Sequence, residues 1–141
     1  MIYTKLTCAA MRLCFEKHKD QVDKSGIPYV FHPFHVAESM EDEETTVTAL
    51  LHDVVEDTDT TFEELTALGF PEGVVEALKL LTHEPGIPYF EYVEKIKENP
   101  IARAVKMADL AHNSDLSRLE TVTRRDLERI EKYKKAMEML K

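Results

Sequence analysis

Four ionisable side chains crowd six consecutive positions in the segment Leu50–Leu51–His52–Asp53–Val54–Val55–Glu56–Asp57–Thr58. Helical spacing predicts His52 one turn from Glu56 and Asp53 one turn from Asp57, with all four on one flank. Desolvating three carboxylates beside an imidazole is costly unless a cation holds them together. The segment is therefore expected to form one wall of a metal site, with carboxylates to spare for proton transfer. A solvated acidic helix end is the alternative. Ala49, Leu50, Leu51, Val54 and Val55 weigh against it, because they leave little of this helix facing water.

Two further segments offer ligands. His32 lies among Tyr29, Val30, Phe31, Pro33 and Phe34 at the start of a predicted helix. A histidine there is, by itself, more often a satisfied core residue; beside the His52–Asp53 pair it becomes a ligand candidate. His35, one turn on, ranks below it as a supporting or core histidine. Asp109 follows Val105 by four residues and so falls on an apolar stripe, with Lys106 and Asn113 flanking it on the same face. For Asp109 alone, a buried ion pair with Lys106 and a role as metal ligand explain the position equally well. Together His32, His52, Asp53 and Asp109 make a nitrogen and oxygen shell. Such a shell suits Mn²⁺, Fe²⁺ or Zn²⁺ better than Ca²⁺ or Mg²⁺. An open position on such an ion brings the pKa of its water to roughly 7 in favourable cases. Glu56 and Asp57, one turn beyond the ligands, are expected to orient that water or move its proton.

The elements that must carry these residues read as helices throughout. A first helix runs from Ile2 to about His18, followed by a polar loop from Lys19 to Pro28. Pro33 suits the first turn of a second helix reaching about Met40, and a third from Glu44 to Val55 carries the His-Asp pair. Thr61 and Glu64 have the spacing of a capping box, and Gly69 closes the helix they open. Further helices are predicted from Pro71 to Leu81, Tyr89 to about Glu98, Ile101 to about His112 behind the Asn99–Pro100 cap, and from about Thr123 onward. No segment alternates apolar and polar residues as a strand would. The expectation is an all-α fold forming a single domain over residues 1–141.

Composition bounds the partners. With 27 acidic against 18 basic residues in 141, the formal charge is −9. That excess argues against nucleic acid as a partner, and it demands local reversal of sign around any phosphorylated substrate. Cys8 and Cys14 are six apart in a predicted helix, so they point in different directions. They are read as small buried residues in a reducing compartment rather than a disulfide. No signal peptide, bilayer-spanning run or lipidation motif is visible, so a cytoplasmic protein without a membrane partner is expected. Nothing in the sequence sets the oligomeric state.

The chain resembles the HD superfamily of metal-dependent phosphohydrolases, and within it the hydrolase domain of Rel/SpoT-type proteins and the stand-alone small alarmone hydrolases. Three ordered segments carry the likeness: Lys24–Ser25–Gly26–Ile27–Pro28–Tyr29–Val30–Phe31–His32–Pro33, Leu50 to Thr58, and Lys106 to Asn113. The resemblance implies His32, His52, Asp53 and Asp109 as metal ligands, Glu56 and Asp57 as catalytic acids, and Mn²⁺ as the usual metal. It places Lys24, Ser25 and Asn113 at nucleotide-contacting positions, with Lys106 counted among the substrate-binding residues. The implied reaction removes the 3′-pyrophosphate of guanosine tetra- or pentaphosphate. Asp23 stands where the family often has Arg, Leu110 where it has a basic residue, and Ser114–Asp115 where it has Met and Arg. All three changes are expected to subtract positive charge near the substrate. They leave open another 2′- or 3′-phosphorylated nucleotide as substrate, or a non-catalytic nucleotide-binding domain. Of the remaining candidates, His18 is read either as reaching the substrate loop or, equally well, as a simple helix-end histidine, and His83 as a charge at a helix C-terminus. His112 is read as supporting Asp109 or as core. Tyr89, Phe90 and Tyr92 are read as packing residues, the Arg124–Arg125 pair as a solvated helix start, and Arg103 as added charge one turn before Lys106.

Overall fold

Side-chain caps set most of the helix starts. In the computed structural model, which describes all 141 residues, Thr4 exchanges hydrogen bonds with Thr7 to open α1 (Lys5–His18). This cap delays the helix by three residues relative to the expected start at Ile2. Helix α2 (Phe31–Glu38) takes Pro33 into its first turn, where a missing N–H costs nothing. Asp42 caps α3 (Glu43–Leu51) and Thr61 caps α5 (Phe62–Ala67). Asn99 caps α8 (Pro100–Asn113), and a Thr123–Asp126 capping box opens α9 (Arg124–Leu140). Helix α6 (Glu72–Leu81) and α7 (Tyr89–Lys97) each begin just after a proline. No strand forms, so the fold is all-α as expected; an isolated bridge joins Val22 to Pro28.

Helix α3 is the hub. Seven of its nine residues are buried, as a helix surrounded by others requires, and it packs against α1, α2, α6 and α8. Leu50 and Leu51 are fully buried, each contributing roughly 2 kcal/mol of transfer free energy. Helix α8 lies between α3 and α9, presenting Ala102, Val105 and Leu110 to the core. No helix is long and apolar enough to cross a membrane. Cys14 is buried, but Cys8 is exposed, contrary to expectation: α1 lies on the surface, and its periodicity turns Cys8 outward.

The expected continuous helix through the His-Asp pair is interrupted. Helix α3 stops at Leu51, His52 is its C-cap, and Asp53 leaves the helical region with φ −109° and ψ 2°. A separate turn, α4 (Val54–Asp57), then follows. The loop before α2 folds back on itself: Asp23 N–H donates to Ile27 O at 2.8 Å and Tyr29 N–H to Gln21 O at 2.9 Å. Gly26, at φ +80°, makes the tight return that a side chain would strain.

Candidate metal centre and nucleotide cleft

The interruption after Leu51 aims two adjacent side chains at one point. His52 Nδ1–H donates to Ala49 O at 2.6 Å, which leaves Nε2 as the lone-pair nitrogen in the neutral ring. That buried Nε2 makes no hydrogen bond, yet lies 3.1 Å from Asp53 Oδ2 and 3.4 Å from Asp109 Oδ1. His32, brought in by α2, has Nε2 at 2.8 Å from Asp109 Oδ1 and 3.9 Å from Asp53 Oδ2. One ligand atom each from His32, His52 and Asp109 lies within 4.8 Å of the others. Three segments distant in sequence thus converge on a volume of ionic size.

The ionisable groups of this cluster interact strongly with one another. Burial works against a charged His52, but the carboxylates of Asp53 and Asp109 outweigh it and raise its pKa well above the ordinary range. Burial likewise disfavours ionised Asp109, yet Lys106 first, then His32 and His52, hold it well below the usual carboxylate value. Asp53 is also lowered: burial opposes ionisation, and His52 and the Tyr29 hydroxyl overcome it. The buried His32, His52 and Asp109 cluster, with an imidazole nitrogen left unpartnered, is compatible with a divalent cation, and Asp53 stands beside it. Support surrounds the cluster. Tyr29 donates to Asp53, and Lys106 Nζ lies 3.0 Å from Asp109 Oδ2. Asn113 Nδ2 donates to Asp109 Oδ1 at 3.0 Å. His112, read as support for Asp109 or as core, sets its Nδ1 at 2.7 Å from His32 Nδ1, where it fixes the orientation of that ring.

Asp57 and Glu56 part company after the break. Asp57 stays close to the centre, and burial, then Asp53 and Glu56, raise its pKa to about 6. Its main chain is clasped from the loop after α1: Gln21 Nε2 donates to Asp57 O at 3.1 Å, while Gln21 Oε1 takes His18 Nδ1–H at 2.8 Å. His18 is therefore a fully buried positioning group rather than a residue of the substrate loop. Glu56 turns toward the loop after α6, where its Oε1 accepts the His83 backbone N–H at 3.0 Å. Asp53 and Asp57 keep the expected one-turn relation, Asp57 N–H donating to Asp53 O at 2.9 Å, whereas Glu56 leaves the flank expected for all four, because the helix breaks after Leu51.

A cleft of about 250 Å³ opens beside His32 and Tyr29, and Lys24, Ser25 and Asn113 line it. Lys106 does not: its side chain is 13% exposed, paired with Asp109 and set over the Tyr92 ring. Arg118, Arg129 and Tyr133 also line the cleft and were not anticipated. Arg129 and Tyr133 are one turn apart on α9, but nothing in its sequence marks which face meets the cleft. A second cleft, about 460 Å³, shares Asp23, Tyr29, His32 and Arg118 and adds Phe31, Phe34 and His35. His35 stacks on His112 at 4.0 Å between ring centres.

The three charge-subtracting substitutions act differently from expectation. Leu110 is 1% exposed and belongs to the core, so it takes no charge from the cleft. Asp23 Oδ1 accepts the Ser25 and Ile27 N–H groups at 2.9 and 3.0 Å, and its Oδ2 faces Arg118. Asp115 caps the 3₁₀ turn Leu116–Arg118 through Ser117. Lys24, Arg118 and Arg129 still supply positive charge at the cleft. Among the other candidates, Tyr92 is buried with its ring stacked on His83, whose Nε2 meets Ile87 O at 2.7 Å. Tyr89 and Phe90 are half-buried against the core, while Arg103, Arg124 and Arg125 are exposed.

Residues 10–138 match the HD domain. The guanosine-3′,5′-bis(diphosphate) 3′-pyrophosphohydrolase MESH1 of Danio rerio is 36% identical over 129 residues, covering 82% of this chain and 71% of that protein. A protein of Aquifex aeolicus bearing the same enzyme name is 36% identical over 109 residues, and this chain spans only 16% of its length. The solved structure of a metazoan ortholog of SpoT, described as hydrolysing ppGpp, aligns with a TM-score of 0.79. That alignment covers 100% of this chain and 88% of the other at 26% identity. The chain belongs to the HD domain family.

Proposed function

We propose that this chain is a metal-dependent phosphohydrolase that removes the 3′-pyrophosphate of guanosine 3′,5′-bis(diphosphate), acting in the cytoplasm. The observation that carries the reading is the buried, unpartnered His52 Nε2 facing Asp53 and Asp109, with His32 closing the same volume. The pyrophosphohydrolase relatives support the substrate class. Mn²⁺ is the preferred metal, with Zn²⁺ or Fe²⁺ compatible with the same donors. When bound, a divalent cation supplies a water of lowered pKa and polarises the attacked phosphoryl group.

The chain's own residues do the rest. His32, His52, Asp53 and Asp109 hold the ion, and Tyr29, His112, Lys106, Asn113 and the Ala49 carbonyl keep those four from rotating away. Asp57, its pKa pushed up to about 6 by burial and the neighbouring carboxylates, accepts the proton of the attacking water at neutral pH. Glu56, whose Oε1 is held by the His83 amide, has its second carboxylate oxygen left to orient that water. Lys24, Ser25, Asn113, Arg118 and Arg129 receive the nucleotide in the cleft. Asp23 and Asp115 in the same wall favour one alternative, a different 2′- or 3′-phosphorylated nucleotide. Incubation with Mn²⁺ and a panel of such nucleotides separates the readings. Pyrophosphate and GDP from the alarmone support the first, and single phosphate from another nucleotide supports the second. Binding without turnover of any of them refutes both.

A further inference from the structure

We infer that Arg118 is a specificity-determining residue of the cleft that binds a phosphoryl group of the nucleotide, with Asp23 as its resting counter-ion. The inference rests on the nucleotide reading of this site but not on turnover. Arg118 ends the 3₁₀ turn and folds back over the end of α8. Its Nη1 donates to His112 O at 3.0 Å and to Asn113 Oδ1 at 3.1 Å, which fixes the plane of the guanidinium. Nη2 stands 3.9 Å from Asp23 Oδ2, beyond hydrogen-bond distance, and neither Nη2 nor Nε donates to any protein acceptor. The side chain is 25% exposed, and it lines both clefts.

A fixed guanidinium with unclaimed donors suits two oxygens of a phosphoryl group, because its planar fork matches their spacing. Position reinforces this. The Asn113 that holds Nη1 also donates to Asp109, so the guanidinium is two hydrogen bonds away from a candidate metal ligand. Ser25 Oγ donates to Arg118 O at 3.3 Å, which ties the loop before α2 to the same turn. The other cations of this wall, Lys24 and Arg129, share a different carboxylate, Asp126, at 3.7 and 3.1 Å. Asp23 is too distant to satisfy Arg118, yet close enough to balance its charge until an anion arrives. The carboxylate that looks repulsive in the sequence is thus the placeholder for substrate phosphate.

The test is calorimetric binding of GDP and of guanosine to the Mn²⁺-loaded full chain, comparing wild type with Arg118→Gln and Arg118→Lys. Arg118→Gln is expected to weaken GDP about tenfold or more, the loss of a charge-assisted hydrogen bond, and to leave guanosine within about twofold. Arg118→Lys keeps the charge but loses the fork, so it is expected to fall between the two, and it serves alone should the Gln variant fail to fold. GDP affinity unchanged in the folded variants overturns the inference. A parallel loss for guanosine also overturns it, because it places Arg118 on the base or in the scaffold. Failure of the hydrolase reading appears separately, as wild-type protein that binds GDP but turns over none of the panel.

Discussion

Lys106→Met removes one charge from a buried ion pair at the site while nearly conserving volume. Lys106 Nζ lies 3.0 Å from Asp109 Oδ2, with the two side chains 13% and 8% exposed. At that separation the Coulomb attraction is about 5 kcal/mol with an effective dielectric constant of about 20. Removing one partner of a buried pair typically costs about 3–5 kcal/mol, because the remaining charge is left desolvated. For a chain of this size that corresponds to a fall in Tm of about 10–15 °C. The Asp109 contribution is present above the ordinary carboxylate range and is lost as pH falls through its depressed folded value. Burial alone would lower the Lys106 pKa, but Asp109 outweighs it and raises it, so that contribution is lost only as pH climbs above the usual lysine range. The deficit is therefore expected to be flat between about pH 5 and 9. Calorimetry with chelator and with saturating Mn²⁺ provides the assay. The loss should shrink when metal is present, since a cation on Asp109 takes over part of the compensation. A deficit under about 1 kcal/mol in chelator, or the same deficit with and without metal, refutes the assignment of Lys106 as Asp109's counter-charge.

Other perturbations read the remaining roles. Asp53→Ala should abolish both Mn²⁺ binding by titration calorimetry and turnover, and surviving turnover removes Asp53 from the ligand set. Asp57→Asn should lower kcat by about 10²–10⁴ and abolish the rise in rate with pH near 6. Because the folded pKa of Asp57 is raised, its ionisation destabilises the metal-free protein as pH climbs through about 6. The Asn variant should then gain about 1 kcal/mol at pH 8, after allowance for solvent screening, and nothing below the ordinary carboxylate range. Glu56→Ala should bind Mn²⁺ normally but lose most turnover, and full activity excludes Glu56 from the mechanism.

Much of the architecture is written in local chemistry. Thr61, Asn99 and Thr123 announce helix starts because capping is a matter of a few residues, and each caps a helix in the structure. The Lys106–Asp109–Asn113 contacts were also legible, since residues three and four apart on a helix are neighbours. The break at His52 was not. Leu50 through Val55 satisfies a helical apolar pattern whether or not the backbone pauses, and only packing of α3 against four other helices decides it. The same break sends Glu56 to His83 and Asp57 toward Tyr29. Arg118 was hidden for another reason. Its partners, Asp23, Asn113 and Ser25, lie on other elements or across a turn, so no periodicity links them. Asp23 accordingly reads as a loss of positive charge, when its Oδ1 is held by two backbone amides and its Oδ2 faces a guanidinium at 3.9 Å.

The pause between α3 and α4 has a geometric corollary. Consecutive residues on an α-helix project about 100° apart, so neighbours on an intact helix cannot chelate one ion. Adjacent His and Asp can turn toward one point where the chain steps out of register, as Asp53 does. Transplanting the dipeptide onto a straight helix would therefore move the chemistry's letters without its grip. A rigidifying substitution that mends the step would disarm the centre while leaving every donor atom in place.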